Sequence, residues 1–436
     1  MTANAAERTE HIIDVFLTEF GELMKADPNA FHRKFRKMAA SPFAFYRGSA
    51  CLFYSDVKND DSTFLDEKTS RVWMHGDLHA ENFGTYMNAN GVLVFNVNDF
   101  DEAYVGPFTW DLKRFAASVA LIGYAKALSD DDITQLVTAF ARSYLAELRL
   151  IAAHGDDAIG ELTLDTSDGE LRGVLQKARL GSRLHLLNKQ TEIVDYERKF
   201  MLGGGAYPVD EAQRAKVRDA FAQYLTTLPA SRHQRPTELQ IKDFALRKGV
   251  GIGSAGLPSY NVLLEGNSQA LENDIIVYMK QAQVPAVSRV IDDERITKYF
   301  RHQGHRTAES QHALQSYADP WCGYTELDGV GQFCAEVSPY AADLDWSNLD
   351  EPEEMAPVVA YLGRAVARMH SVADDDSEHG LVNYSTEDAI AAAIGDDDAG
   401  FTSLLVDFAH RYGQRARADH QLFVDLFRND RLPTEG

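Results

Sequence analysis

The sequence predicts an α+β chain in which helical stretches flank a β-rich block, and three observations carry that expectation. Apolar residues recur at helical spacing near the start and again from Phe108. Strand-like runs dominate residues 244–340, and helical spacing returns from Met355. In the first 40 residues Ile12, Val15, Phe16, Phe20 and Met24 fall on one helical side, before Phe43-Ala-Phe-Tyr-Arg47-Gly48 interrupts the pattern. Arg71–Met74 is a short apolar strand running into His75, and Val92–Val97, between Asn90-Gly91 and Asp99, is a second. Leu112, Phe115, Val119 and Ile122 mark an amphipathic helix. Another follows the Asp130–Asp132 cluster, with Ile133, Leu136, Phe140, Tyr144, Leu148 and Ile151. Asp210–Leu228 is a further helix. Beyond Gly249 the strands Tyr260–Leu264 and Asp274–Lys280 meet at the Gly266-Asn267 turn region, and Gly323–Leu327 and Gln332–Val337 add two more. In Met355–His370, Val358, Val359, Leu362, Val366 and Met369 form one stripe, and the remainder to residue 428 is mostly helical.

Composition narrows the function. The 436 residues suffice for one bilobal enzyme or for two or three domains. Their formal net charge of −23 opposes unaided nucleic-acid binding, which needs a positive face against phosphate. Runs such as Asp374–Asp376 and Asp396–Asp398 suit solvated loops or helix N-termini. No stretch of about 18 apolar residues suggests a membrane span, and the N-terminus lacks signal-peptide features. Cys51, Cys322 and Cys334 are too few and too scattered for a disulfide framework or zinc knuckle. A cytoplasmic protein with neither nucleic-acid nor membrane partners is the expectation.

The motifs then supply chemistry. Phosphoryl transfer needs a carboxylate at the acceptor hydroxyl, hard oxygen ligands for magnesium, and backbone amides with a lysine on the triphosphate. His75-Gly-Asp77-Leu-His79-Ala-Glu-Asn82 has the H-x-D-x-x-x-x-N spacing of a kinase catalytic loop. Asp77 would accept or orient the acceptor proton, His75 would brace the loop, and Asn82 would bind metal. Asp99-Phe-Asp101 ends an apolar strand, so Asp99 is the expected ligand of the bridging magnesium and Asp101 a further oxygen or a turn cap. Asp111 lies at a helix start, where a carboxylate is favoured for structural reasons alike.

Gly251-Ile-Gly253-Ser254-Ala-Gly256 is a G-x-G-x-x-G string. A dinucleotide fingerprint would run from it into a helix. Here Tyr260–Leu264 follows as a strand, as it does after a kinase glycine-rich loop, whose backbone would hold the phosphates. Lys280, in Ile-Ile-Val-Tyr-Met-Lys, then matches the ATP lysine of a V-A-I-K strand. In an apolar strand it needs an anionic partner. Glu309, and after it Glu294, is the expected one.

The strings HGDLHAENFG, NDFDEAYVGPFTWDLKRFAAS, GVGIGSAG and VYMKQA resemble the bacterial Domain of Unknown Function 2252 family over roughly residues 40–375. The HGDLHxxN form is also similar to that of aminoglycoside phosphotransferases and choline kinases, with His79 standing where a protein kinase has lysine. The resemblance implies a bilobal protein-kinase-like fold acting on a small-molecule hydroxyl or amine, or alternatively on a protein acceptor. Chain order departs from the pattern, because Asp77 precedes Lys280. Leu362–His370 looks like the helix that normally leads into the catalytic loop. A circular permutation accounts for both features, with the catalytic helical lobe preceding the β-rich nucleotide-binding lobe.

Four parts follow: residues 1–70, a helical segment packed on the helical lobe; 71–243, the catalytic part; 244–340, the nucleotide-binding part; and 341–436, completing the helical lobe. ATP and Mg²⁺, with Mn²⁺ an alternative, are the implied cofactors. Residues 337–340 would contact adenine, and Arg47 would reach a phosphate or form an ordinary salt bridge. Two alternatives share the fold, an AMP transferase and a pseudokinase. A third is a metallohydrolase ligating metal through His75, Asp77, His79, Asp99 and Asp101.

Overall fold

The computed structural model describes residues 3–60, 63–155, 160–229, 239–248, 259–373 and 380–432. Helices Ala3–Ala26, Pro28–Met38, Pro42–Gly48 and Ala50–Val57 open the chain. Asp27 and Ser41 cap the second and third, each followed by a proline in the first turn, where its missing N–H costs nothing. Ile12, Phe16, Phe20 and Met24 are buried. The Phe16 ring meets Phe35, Phe45 and Phe423, which joins this segment to the long Asp398–Arg428 helix. Arg8 reinforces the junction, reaching Asp56 at 2.7 Å and Asp419 at 2.6 Å.

Four short strands follow: β1 (Val72–Met74), β2 (Phe83–Met87), β3 (Leu93–Val97) and β4 (Tyr104–Gly106). β1 pairs with β4 and β2 with β3, both antiparallel. Their loops hold the segments His75–Asn82 and Asp99–Asp101. Behind them lie helices Phe108–Ala125, Asp130–His154 and Pro352–Ser371. The stripe Val358, Val359, Leu362, Val366 and Met369 is buried in one large core with the N-terminal helices. Gly363 permits close helix contact, because a Cβ there would lie 2.6 Å from the Phe140 carbonyl oxygen.

The remaining strands are β5 (Thr191–Val194), β6 (Glu197–Phe200), β7 (Ala206–Tyr207), β8 (Ile241–Arg247), β9 (Ser259–Leu264), β10 (Ile275–Gln281), β11 (Gly323–Leu327) and β12 (Val330–Glu336). β5 and β6 form a hairpin, and the others an antiparallel sheet in the order β11-β12-β10-β9-β8-β7. Side chains alternate across it. Tyr260, Val262, Val277, Met279 and Cys334 pack with Val217, Phe221 and Tyr224 of helix Glu211–Leu225. On the opposite face, Phe333 and Ala335 pack with Ala308 of helix Gln303–Leu314. Lys280, one residue after Met279, projects to that second face.

The sheet layer thus begins earlier in the chain than residue 244, since helix Glu211–Leu225 covers it. The helix Gln303–Leu314 carries no apolar stripe: its buried residues include Gly304, His305, Arg306, Thr307 and Ser310, so periodicity could not reveal it. All three cysteines are free and buried. Among the described residues no helix is long and apolar enough to cross a membrane.

Candidate active site

β1 delivers the chain into His75-Gly76-Asp77, and Asp111 fixes the turn. This wholly buried carboxylate accepts hydrogen bonds from the amides of His75 (2.6 Å) and Gly76 (3.0 Å). Position 76 has φ +79°, and a Cβ there would collide with the Glu102 carbonyl, so only glycine fits. His75 braces the loop. Its Nε2 lies 2.7 Å from the Asn98 carbonyl oxygen, and its Nδ1 accepts the Asp77 amide at 3.2 Å. Asn82 donates through Nδ2 to the Asp77 carbonyl oxygen at 2.9 Å, which leaves its Oδ1 available.

The Asp77 carboxylate is oriented from below. Arg114 donates Nε–H to Oδ1 at 2.8 Å, and its Nη2 bonds both that oxygen and the Tyr46 carbonyl oxygen, the latter at 3.1 Å. Burial opposes the fully buried guanidinium's charge, but Asp77 outweighs it and holds Arg114 above its ordinary range. The other oxygen, Oδ2, lies 3.8 Å from His79 Nε2. Burial, then Arg47 and Arg114, keep that imidazole well below its usual pKa and hence neutral at physiological pH.

The Asp99-Phe-Asp101 loop faces Asp77 across a cleft. Asp99 has φ +62°, a left-handed conformation uncommon for non-glycine residues. Its carboxylate opens onto the cleft, yet protein surrounds it elsewhere. Desolvation, then neighbouring Asp101, push its pKa above the usual range. Asp101 Oδ2 forms a 2.8 Å ion pair with Lys280 Nζ. Burial acts against that ammonium, but Asp101 and Asp99 outweigh it and raise its pKa. The acid that pairs with Lys280 is Asp101. Glu309 sits beside His305, 3.5 Å from its Nε2, and helix Gln303–Leu314 sends Arg306 to the site instead. Arg306 donates to the carbonyl oxygens of Asp101 (2.8 Å), Ala103 (2.7 Å) and Gln283 (3.0 Å).

Of the expected metal ligands, Asn82 Oδ1 and Asp99 remain available, whereas Asp101 is engaged with Lys280. This all-oxygen set suits magnesium, which takes few protein ligands and keeps its waters. Among the described residues no three His, Cys, Asp or Glu side chains are grouped to hold a metal ion. The five-residue metallohydrolase set is not assembled in that form, since His75 is committed to backbone partners. The glycine-loop residues Gly251, Gly253, Ser254 and Gly256 lie outside the described residues.

A family model described as "Uncharacterized protein conserved in bacteria (DUF2252)" matches residues 26–426. The chain belongs to the DUF2252 family. No curated protein and no solved structure matches it.

Several residues of this DUF2252 site escape a motif reading. Arg114 stands in the quoted Trp-Asp-Leu-Lys-Arg string, but only the fold brings it beneath Asp77. Glu102, next to the Asp-Phe-Asp motif, accepts the Ala286 amide at 2.7 Å, and burial followed by Glu19 pushes its pKa up to about 8. The first helices wall the cleft through Glu19, Phe20, Lys34, Arg47 and Cys51. Arg47 pairs there with Glu81.

Proposed function

We propose that this DUF2252 protein is an ATP- and magnesium-dependent phosphotransferase with a circularly permuted, bilobal kinase-like architecture, acting on a small-molecule hydroxyl or amine. The observation that carries this reading is the Lys280–Asp101 ion pair, which joins β10 to the loop facing Asp77. A lysine from the sheet thereby pairs with Asp101, which lines the same cleft as Asp77, although the motifs lie far apart in sequence.

In this reading Lys280 binds ATP phosphates, and Asp77 orients the acceptor proton through the oxygen not taken by Arg114. Asn82 and Asp99 would hold magnesium, which supplies charge neutralisation on the phosphate oxygens. Residues 337–340 cross from the sheet to the helical body, where Thr85 Oγ1 donates to the Tyr340 carbonyl oxygen at 2.7 Å. They suit a hinge against adenine. The permutation draws support from His370, at the end of helix Pro352–Ser371. Its Nε2 lies 3.4 Å from Asp111, the same carboxylate that anchors the start of the catalytic loop. A helix end and a loop start that are distant in sequence thus adjoin.

The test is ATP consumption with Mg²⁺ or Mn²⁺ against a panel of metabolite alcohols and amines, using ATP labelled at the γ- or the α-phosphate. Transfer of the γ-label that requires Asp77 supports the reading. Transfer of the α-label indicates an AMP transferase. ATP binding without turnover indicates a pseudokinase, and neither binding nor turnover contradicts the proposal.

A further inference from the structure

The cleft continues past Asp77 towards the N-terminal helices, and a lysine sits there with no acceptor. Lys34 is only 5% exposed and lines the cleft. Its Nζ lies 4.1 Å from the Phe20 ring centroid and 5.5 Å from that of Phe31. Among the described residues no oxygen accepts a hydrogen bond from it, although carboxylates are near. Glu19 is committed to Arg289 at 2.6 Å, and Glu102 to the Ala286 amide. Arg47 repeats the pattern: it pairs with Glu81 through Nη1, while its buried Nε has no partner.

Buried donors without acceptors carry a free-energy cost that a ligand oxygen removes. Burial also lowers the Lys34 pKa, and an anion beside the ammonium would oppose that shift. Ring faces attract a desolvated ammonium but offer it no hydrogen-bond acceptor. Lys34 and Arg47 line the same cleft as the Asp77 carboxylate.

We propose that Lys34 and Arg47 form the recognition end of an acceptor pocket for a small alcohol carrying an oxyanionic group, a carboxylate or a phosphate, with the alcohol hydroxyl at Asp77. The proposal rests on the phosphotransferase reading for the role of Asp77, but the oxyanion site stands on its own geometry. The first helices, which precede the catalytic motifs, would on this account select the substrate.

Calorimetric titration of the full chain tests it, with D-glycerate and inorganic phosphate as probes and glycerol and ethanolamine as controls. A magnesium complex of a non-hydrolysable ATP analogue is titrated in parallel. D-glycerate or phosphate should bind the wild type at least tenfold more tightly than either control, and which of the two binds distinguishes carboxylate from phosphate recognition. Lys34→Met should weaken that binding at least tenfold, Lys34→Arg should retain most of it, and binding of the nucleotide analogue should change less than threefold in both. Oxyanion binding that is absent in the wild type, or equal in Lys34→Met, overturns the proposal, as does preference for ethanolamine. The wild-type arm decides even if Lys34→Met fails to fold. Loss of nucleotide binding in every protein, with oxyanion binding intact, would contradict the phosphotransferase reading alone.

Discussion

Asp77 and Lys34 face the same cleft, but the protein treats them in opposite ways. Beneath Asp77 most polar groups are paired, Arg114 Nη1 being the exception among the described residues. Arg114 holds one carboxylate oxygen, His75 accepts the Asp77 amide, Asn82 donates to its carbonyl, and Asp111 anchors the two amides before it. Around Lys34, among the described residues, the ammonium meets ring faces with no hydrogen-bond acceptor, and buried Arg47 Nε has no partner. The first pattern suits preorganisation, in which folding energy would fix the group proposed to react before any ligand arrives. The second is a vacancy in the bonding network, which a ligand would complete. Rigidity at Asp77 thus reads as chemistry and unsatisfied donors at Lys34 read as recognition.

The comparison breaks first at Asp77. Replacing Asp77 with Asn keeps its shape but removes the proton acceptor, so γ-phosphate transfer should fall by roughly 10²–10⁴-fold. The melting temperature should also fall, because the fully buried Arg114 loses its counter-charge, and transfer assays with thermal melts check both. Next comes the support. Arg114→Met leaves Asp77 without its buried partner and should cost about 3–5 kcal/mol of stability, measured by urea denaturation. If Arg114 only tuned activity, the denaturation midpoint would not move.

Glu102 gives a smaller effect with a definite pH signature. Its native pKa is raised from the ordinary 4.5 to about 8, so the folded protein retains a proton that the unfolded chain releases between those values. Its contribution is therefore full below pH 4.5 and is lost as pH rises through 8. Glu102→Gln stays neutral and can still accept the Ala286 amide. Its melting temperature relative to wild type should rise steadily from pH 5 to pH 8, and a flat difference would show that Glu102 is not held protonated. The smallest effect belongs outside the cleft. Lys216 and Asp328 form a 2.9 Å surface pair with both side chains more than half exposed, so Lys216→Ala should cost less than about 0.5 kcal/mol.

Much of this architecture was legible in the sequence, and what was hidden has physical reasons. The buried faces of the first helix and of Pro352–Ser371 follow from apolar spacing alone, as do β9, β10, β11 and β12. Strands as short as β1 and β4 offer too few residues for an alternating pattern, although the one before His75 was visible from its motif. Helix Gln303–Leu314 is buried through small and polar residues that make tertiary hydrogen bonds, and periodicity is blind to those. The same limit explains the partner of Lys280. A glutamate on a following helix was the natural expectation, and the Asp99–Asp101 loop comes close enough for Asp101 to pair with Lys280. Motif spacing locates Asp77, Asn82 and Asp99 because their chemistry is local. Arg114 and Lys34 acquire meaning only when folding sets them beside those residues.

The central claim is that the sheet lysine and the catalytic-loop aspartate serve one nucleotide site. Titration of the wild type, Lys280→Met and Asp77→Asn with MgATP tests it most directly. Saturable binding by the wild type, at least tenfold weaker in Lys280→Met and within threefold of wild type in Asp77→Asn, is the predicted result. No MgATP binding by the wild type, or binding indifferent to Lys280, would contradict it.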